Sequence, residues 1–249
     1  MSEPKNSYGR LCTEMYEILH AQTPQEELDF YLSYARPGDA ILEALCGSGR
    51  FFLPFFERGF DIQGMDASPD MLAKLRKKCP NAPAVCADIA AYTPDRAYEY
   101  IFISSGSVSL FTDLALCRRI LAQLKSWLAP GGKLVFAVET VAARCPDDTD
   151  YREAVAVPMQ GGHRIVLRTK NHYDPATQTQ YSPGFYELYA GDDLLEREFM
   201  DFQTHLYRFG EMEAILAGLD FAAVCTYASF DKHPAVDDSS EMFLFECSL

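Results

Sequence analysis

Along the first 140 residues, segments with apolar residues at helical spacing alternate with short apolar runs typical of strands. Apolar positions between Tyr8 and Leu19 predict a first helix, and Thr23-Pro24 predicts the N-cap and first position of a second. Further helices are predicted at 51–57, 69–78 and 113–127, and short apolar runs predict strands at 41–42, 61–65, 84–86, 99–103 and 134–135. Such alternation is typical of a parallel sheet covered by helices.

The pattern changes after Glu139. Apolar and polar residues then alternate singly within residues 151–208, with turn signals such as Gly161-Gly162 between the runs, which predicts an inserted antiparallel meander. The last of these runs extends from Phe199 to Tyr207. A helix at 209–219 and strands at 221–230 and 242–247 are predicted to complete the chain.

A glycine turn and an acidic residue suggest the chemistry of the predicted sheet. Cys46-Gly47-Ser48-Gly49 follows the first strand, and Asp66 ends the second. An acidic side chain about 20 residues after such a turn suits the ribose hydroxyls of a nucleoside cofactor. A dinucleotide fingerprint would have a third glycine where this chain has Phe52, which argues against NAD and FAD.

Three stretches carry a resemblance to a known family. ILEALCGSGRF resembles motif I of the class I S-adenosylmethionine-dependent methyltransferases, GMDASPDML resembles their next motif, and the L-x-P-G-G-x-L-V run at 128–135 resembles a third. The resemblance implies S-adenosylmethionine as cofactor. It implies cofactor contacts for Glu43, Leu45 (in place of the family's first glycine), Cys46, Gly47, Gly49, Asp66, Ala67, Asp88 and Ile89. Ser104 and Ser105 are expected at the same site because they are small residues at the end of the fourth predicted strand, although a structural turn would also explain them.

The same resemblance implies the fold and its organisation. We expect one α/β domain with a Rossmann-like seven-stranded sheet, helices on both faces and strand 7 antiparallel. Residues 1–36 form a helical cover, 37–140 the cofactor-binding core, 151–208 the inserted antiparallel β subdomain, and 209–249 the last helix with strands 6 and 7. Leu45 is expected to point into the core beneath the glycine loop.

The expected activity is in-line methyl transfer to a nitrogen or oxygen of a small molecule. An early tyrosine often faces the methionine end of the cofactor in related enzymes, so Tyr16, then Tyr8, is expected there; packing against the sheet edge is the alternative. We expect Ser107, His205 and Tyr207 to line the acceptor pocket with Tyr16, and His205 or Tyr207 to orient or deprotonate the substrate. A lone histidine in a strand also suits a structural role.

Composition narrows the partners. The chain has 249 residues and a formal net charge of −14, from 22 Lys and Arg against 36 Asp and Glu, which disfavours a nucleic-acid partner. Its eight cysteines form no C-x-x-C pair or zinc spacing, and no leader or membrane span is evident, so we expect a cytoplasmic monomer or homodimer without metal. Two alternatives remain: a cofactor-binding protein without transferase activity, and another Rossmann enzyme such as a dehydrogenase.

Overall fold

A computed structural model describes residues 6–249, and it contains one large sheet, two smaller sheets and six α-helices. The helices are α1 (Arg10–Leu19), α2 (Gln25–Leu32), α3 (Phe52–Glu57), α4 (Pro69–Lys78), α5 (Leu114–Ser126) and α6 (Glu211–Ala217). The strands of the large sheet are β1 (Ala40–Ala44), β2 (Asp61–Asp66), β3 (Ala84–Cys86), β4 (Tyr98–Ile103), β5 (Leu128–Glu139), β13 (Ala223–Tyr227) and β14 (Met242–Ser248). The inserted strands are β6 (Arg152–Pro158), β7 (His163–Thr169), β8 (His172–Asp174), β9 (Thr179–Tyr181), β10 (Gly184–Ala190), β11 (Asp193–Met200) and β12 (Gln203–His205).

The large sheet has the order β13-β14-β5-β4-β1-β2-β3. Strands β1 to β5 pair in parallel, and β14 is antiparallel to both of its neighbours, so the expected fold class is confirmed. The chain order reverses between β1 and β4, which are adjacent although β2 and β3 lie between them in sequence. Ligands of open α/β sheets bind at the carboxyl ends of the strands beside such a reversal.

The core lies on both faces of this sheet because strand residues alternate sides. In β4, Tyr100 and Phe102 pack with α2 and α3, whereas Ile101 and Ile103 pack with α5 and α6. Within residues 6–249 the longest helix has 13 residues, and none is long and apolar enough to cross a membrane.

The insertion after β5 is antiparallel, but it is not a simple meander. Strands β11-β10-β7-β6 form one sheet, and strands β12-β9-β8 form another. The chain passes from β7 in the first sheet to β8 in the second, and it returns from β9 to β10, which pairs with β7. The single run predicted from Phe199 to Tyr207 is divided: β11 ends at Met200 and β12 begins at Gln203. Phe202 O accepts a hydrogen bond from Ser182 N at the break, which separates the two strands.

Helix α2 lies beside the carboxyl end of β4, and α1 packs against α4 and the inserted strands β6 and β10. Tyr31 of α2 donates its hydroxyl to Ile103 O at 3.2 Å, which anchors the helix beside the end of β4. The predicted cap of α2 is wrong by one residue: Pro24 occupies the N-cap position, and the Thr23 hydroxyl donates to Arg50 O at 2.7 Å instead. A tertiary contact has therefore replaced the local cap.

Candidate functional site

The turn after β1 and the end of β2 form one hydrogen-bonded unit. Asp66 accepts hydrogen bonds from Gly47 N through Oδ2 and from Ser68 N through Oδ1, both at 2.8 Å. Gly49 is required by close packing, since a Cβ there would lie 2.5 Å from Leu75 Cδ1. At Gly47 a Cβ would meet only Met71 Sδ, at 3.9 Å, so this side of the turn is open to a ligand.

Leu45 lies in the left-handed region with φ of +60°, which explains why glycine suits this position. Its side chain packs against the core cluster that contains Leu42 and Met65, as expected from the sequence. Cys46 is buried as well, and burial, with Glu43 and Asp66 nearby, raises the pKa of its thiol well above the usual value. A neutral thiol is a poor nucleophile, so Cys46 serves as a small packing residue.

Glu43 and Ser104 meet beneath the turn. Ser104 Oγ donates to Glu43 Oε1 at 3.1 Å, while Glu43 Oε2 has no hydrogen-bond partner among residues 6–249. Burial raises the pKa of Glu43 well above its ordinary value, although the Ser104 hydrogen bond opposes this. A donor group of a bound ligand could supply the hydrogen bond that this buried acceptor lacks.

A second buried carboxyl links α2 to the end of β4. Glu27 Oε1 accepts from Ser105 N at 2.9 Å, and Ser105 itself has φ of +55°. Burial raises the pKa of Glu27 against the opposing effects of Ser105 and the nearby Arg50 guanidinium. Arg50 Nε is buried with no acceptor among residues 6–249, so the guanidinium can accept an anionic ligand.

Asp88, Ile89 and Ala67 lie on the β2–β3 side of the turn. Asp88 is exposed and Oδ1 accepts from Ala90 N at 2.9 Å, while Ile89 is buried against the core. Ala87 N donates to Asp66 O at 3.0 Å, so the segment after β3 is held beside Asp66. Ala67 is exposed. This side therefore presents the exposed Asp88 carboxylate and the exposed Ala67 methyl group, with Ile89 buried beside them.

Two tyrosines of the amino-terminal segment lie above the strand ends. The Tyr8 and Tyr16 rings meet edge to face with centroids 6.5 Å apart, and Ser68 Oγ donates to Tyr8 O at 2.8 Å. Burial raises the pKa of Tyr16, whereas Arg50 opposes the change. Burial also raises the pKa of Tyr8, with contributions from the neighbouring Cys12 and Tyr16 and from the Asp66 and Glu139 carboxylates.

A cavity of about 290 Å³ adjoins these tyrosines between α1 and the insertion. Most of its surface is apolar, with a few amide, hydroxyl and thiol groups. It is lined by Tyr8, Cys12, Met15, Tyr16, Leu19, His20, Leu167, Thr169, Asn171, Ser182, Gly184, Tyr186, Met200 and Phe202. This volume is at the lower end of the range for small-molecule sites.

His205 and Tyr207 do not reach this cavity. Their side chains are 2% and 0% exposed, and their rings pack together with centroids 4.5 Å apart. His205 Nε2 is paired with Glu211 Oε1 at 2.8 Å, and the Tyr207 hydroxyl lies 3.5 Å from Cys117 Sγ. The structure thus places both predicted acceptor residues in the core between β12, α5 and α6. Ser107 is half-buried beyond the end of β4, where it pairs with Val138.

Glu139 at the end of β5 was not selected from the sequence. Its carboxyl is half-buried; burial raises its pKa, and the nearby Thr204 hydroxyl works to lower it. Thr204 precedes His205 on β12, so alternation turns it to the opposite side of the strand. Only the position of Glu139 at the last residue of a parallel strand could have indicated a site.

The residues around the turn fit a nucleoside cofactor that ends in an amino acid. Asp66 keeps unused lone pairs for ribose hydroxyls, and the open face of Gly47 admits a ligand. Glu43 Oε2 is a buried acceptor and Arg50 Nε a buried donor, and neither has a partner among residues 6–249. An ammonium and a carboxylate could satisfy that pair.

The comparisons agree with this geometry. Residues 41–132 match the family model described as a methyltransferase domain. The chain is 33% identical over 145 residues to a trans-aconitate 2-methyltransferase from Acidovorax sp., an alignment that covers 55% of this chain and 49% of the relative. It is 34% identical over 110 residues to a malonyl-[acyl-carrier protein] O-methyltransferase from Serratia marcescens, covering 44% and 41%. The chain thus spans about half the length of the curated relatives it matches.

Solved structures resemble the whole chain. The CcbJ methyltransferase from Streptomyces caelestis superimposes with a TM-score of 0.75 at 19% identity, covering 97% of each chain. A sugar N-methyltransferase from Streptoalloteichus sp. gives a TM-score of 0.74 at 18% identity, covering 100% of this chain and 96% of the other. Residues 41–132 therefore resemble the methyltransferase domain family, and the chain as a whole has the fold of the solved S-adenosylmethionine-dependent methyltransferases.

Proposed function

We propose that the protein transfers a methyl group from S-adenosylmethionine to a small-molecule acceptor. The observation that carries the proposal is the Asp66 unit, in which one carboxylate braces the glycine turn and begins α4 while it remains able to accept ribose hydroxyls. The family match over residues 41–132 supports the same cofactor.

Each part of the site has a proposed task. Asp66 holds the ribose, Asp88 and Ile89 hold the adenine, and the open backbone at Gly47 admits the chain that joins ribose to amino acid. Arg50 and Glu43 face the amino-acid end. The cofactor, when bound, supplies a methyl group on a positively charged sulfur.

The protein's own contribution is mainly positioning. Holding two reactants in a reactive geometry can lower a barrier by roughly 7–11 kcal/mol. Helix α1 and the insertion close over the strand ends and exclude water from the half-buried carboxyls there. Tyr8 and Tyr16 line both the cofactor side and the 290 Å³ cavity, so that cavity is the proposed acceptor pocket.

A small organic acceptor fits this cavity better than a polymer. The space is limited, mostly apolar and closed on one side by α1. The relatives named above act on a small organic acid and on a carrier-bound acyl group, as their names state, which leaves the acceptor of this chain open.

A turnover screen tests the proposal. Purified protein is incubated with S-adenosylmethionine and a panel of small amines, alcohols, carboxylic acids and thiols, and release of S-adenosylhomocysteine is measured. We expect acceptor-dependent release with at least one class, and slower release with the Asp66→Ala variant at S-adenosylmethionine concentrations below saturation. Tight cofactor binding with no release across the panel would favour a cofactor-binding protein without transferase activity.

A further inference from the structure

Glu139 is a half-buried carboxyl for which the proposed cofactor contacts give no role. It ends β5, which lies three strand positions from β2 in the order β5-β4-β1-β2. At about 4.8 Å per position, the two strand ends are roughly 14 Å apart. Glu139 is therefore too distant to share the ribose with Asp66, and it lies on the side of the sheet end nearest the insertion.

The backbone around Glu139 holds its side chain in place. Glu139 N donates to Ser109 Oγ at 2.8 Å, and Glu139 O accepts from Tyr207 N at 2.9 Å. A Cβ on Gly106 would lie 3.3 Å from Glu139 Cγ, so the end of β4 packs against the stem of this side chain. The carboxyl group is thus fixed between the end of β4 and strand β12.

The groups around the carboxyl are uncharged or acidic. Burial raises the pKa of Glu139 against the opposing effect of the Thr204 hydroxyl, and burial, Asp66 and Glu139 all contribute to the raised pKa of Tyr8. Among residues 6–249 no Lys, Arg or His forms an ion pair with Glu139. A carboxylate removed from water without a cationic partner is costly, and the cost is recovered when a ligand supplies the cation.

We infer that Glu139 binds the amino group of the methyl acceptor and takes its proton, with Thr204 as the positioning residue. This inference rests on the proposed function. It assigns the acceptor to the class of small primary or secondary amines. An ammonium that enters beside Tyr8 would complete the missing ion pair.

The proton balance is simple. The ammonium N–H bond breaks and its proton passes to a Glu139 oxygen, which leaves a lone pair on nitrogen. That pair forms the nitrogen–carbon bond to the methyl group as the carbon–sulfur bond breaks and its electron pair remains on sulfur. Glu139 then returns the proton to solvent, and the net product is the methylated ammonium.

Binding of two cofactor analogues tests this inference without a known acceptor. Sinefungin carries a primary amino group where S-adenosylmethionine has its methyl group, whereas S-adenosylhomocysteine has neither group. We expect Glu139→Gln to weaken sinefungin by at least about tenfold in calorimetric titration, since a charged pair is lost. S-adenosylhomocysteine should change by less than about twofold.

Three variants serve as controls, each checked for folding by circular dichroism. Glu139→Asp keeps the charge and should retain part of the preference for sinefungin. Thr204→Val should reduce that preference less than Glu139→Gln does. Glu43→Gln, at the amino-acid end of the site, should affect both analogues equally.

The outcomes separate the inference from the proposed function. If Glu139→Gln changes the affinity for sinefungin and for S-adenosylhomocysteine by the same factor, the role of Glu139 is overturned. The proposed cofactor site would then remain intact. Failure of the unsubstituted protein to bind either analogue would overturn both. If Glu139→Gln does not fold, an unchanged preference in both Glu139→Asp and Thr204→Val would overturn the inference.

Discussion

Single residues at the glycine turn combine backbone strain with buried charge. Leu45 and Ser105, at the ends of neighbouring strands β1 and β4, both adopt positive φ, of +60° and +55°. Glu43, two residues before Leu45, has 1% of its surface exposed and accepts a hydrogen bond from Ser104. Strain and buried polar groups concentrate where ligands bind, and each has a measurable effect on stability.

The strain at Leu45 predicts an unusual order of stability. Leu45→Ala and Leu45→Gly both lose the packing of the leucine side chain, but only glycine relaxes the left-handed backbone. The greater freedom of glycine in the unfolded chain offsets part of this relief of strain. We therefore expect Leu45→Gly to be about 1 kcal/mol more stable than Leu45→Ala in urea unfolding. The reverse order would show that the backbone at this residue is not strained.

The buried Glu43 predicts a pH-dependent stability. Its folded pKa is raised above the ordinary value of 4.5, so its contribution is complete below that pH and is lost as pH rises through the folded pKa. Glutamine cannot ionise. Glu43→Gln should therefore gain stability relative to the unsubstituted protein as pH rises above the ordinary glutamate pKa of 4.5 in urea unfolding.

Glu57→Gln, at the exposed end of α3, makes the same substitution outside the site and is the matched control variant. A pH-independent difference for Glu43→Gln would contradict a raised pKa at this site.

At the level of elements, α1 depends on a residue from the insertion. Gly9 has no side chain to cap the helix, and Glu198 of β11 replaces it by accepting from Leu11 N at 2.9 Å and Cys12 N at 3.4 Å. A Cβ on Gly9 would lie 2.5 Å from Glu198 Oε1, which explains the glycine. The cover over the site is therefore coupled to the insertion.

We expect Glu198→Ala to remove about 1 kcal/mol from the local stability of α1. Amide hydrogen exchange over residues 10–19 should accelerate by about fivefold. Glu196→Ala is the control, because Glu196 lies on the same strand in an exposed ion pair with Arg10 that contributes little. Equal exchange in the two variants would remove Glu198 as the cap.

His205 of β12 is paired with Glu211 of α6, and this buried contact predicts a structural rather than a catalytic role for His205. Burial works to raise the pKa of Glu211, but His205 and the Arg208 amide outweigh it and lower the value. His205→Ala should cost about 2–4 kcal/mol in unfolding free energy by leaving a cavity and an unpaired carboxylate. Cofactor affinity of the folded variant should not change, and a selective loss of turnover at full stability would restore a catalytic role.

Much of the fold could be predicted because its signals are local. Ser68 caps α4 and Asp113 caps α5 from adjacent positions, and β2 spans the residues expected from its apolar run. The side of β12 could not be predicted, because the break between Met200 and Gln203 sets its register. That register turns Thr204 towards Glu139 and buries His205, which reverses the assignment made from polar residue type alone.

At the scale of the whole molecule, the sheet, the insertion and the amino-terminal helices converge on one end of the parallel strands. Asp66 lies at the end of β2, Glu139 lies at the end of β5 nearest the insertion, and burial together with both carboxylates raises the pKa of Tyr8. The mostly apolar cavity is lined by Tyr8 and Tyr16 on one side and by residues of the insertion on the other. The arrangement suits a cofactor laid across the strand ends with its acceptor entering from the insertion.

Calorimetric titration of S-adenosylmethionine tests this account most directly, with Asp66→Ala compared with the unsubstituted protein. Each charged hydrogen bond to a ribose hydroxyl contributes about 1.5–3 kcal/mol, so the variant should bind at least about tenfold more weakly while remaining folded. Asp61→Ala, at the exposed start of the same strand, should bind normally. No binding by the unsubstituted protein, or equal affinity in a folded Asp66→Ala variant, would contradict the account.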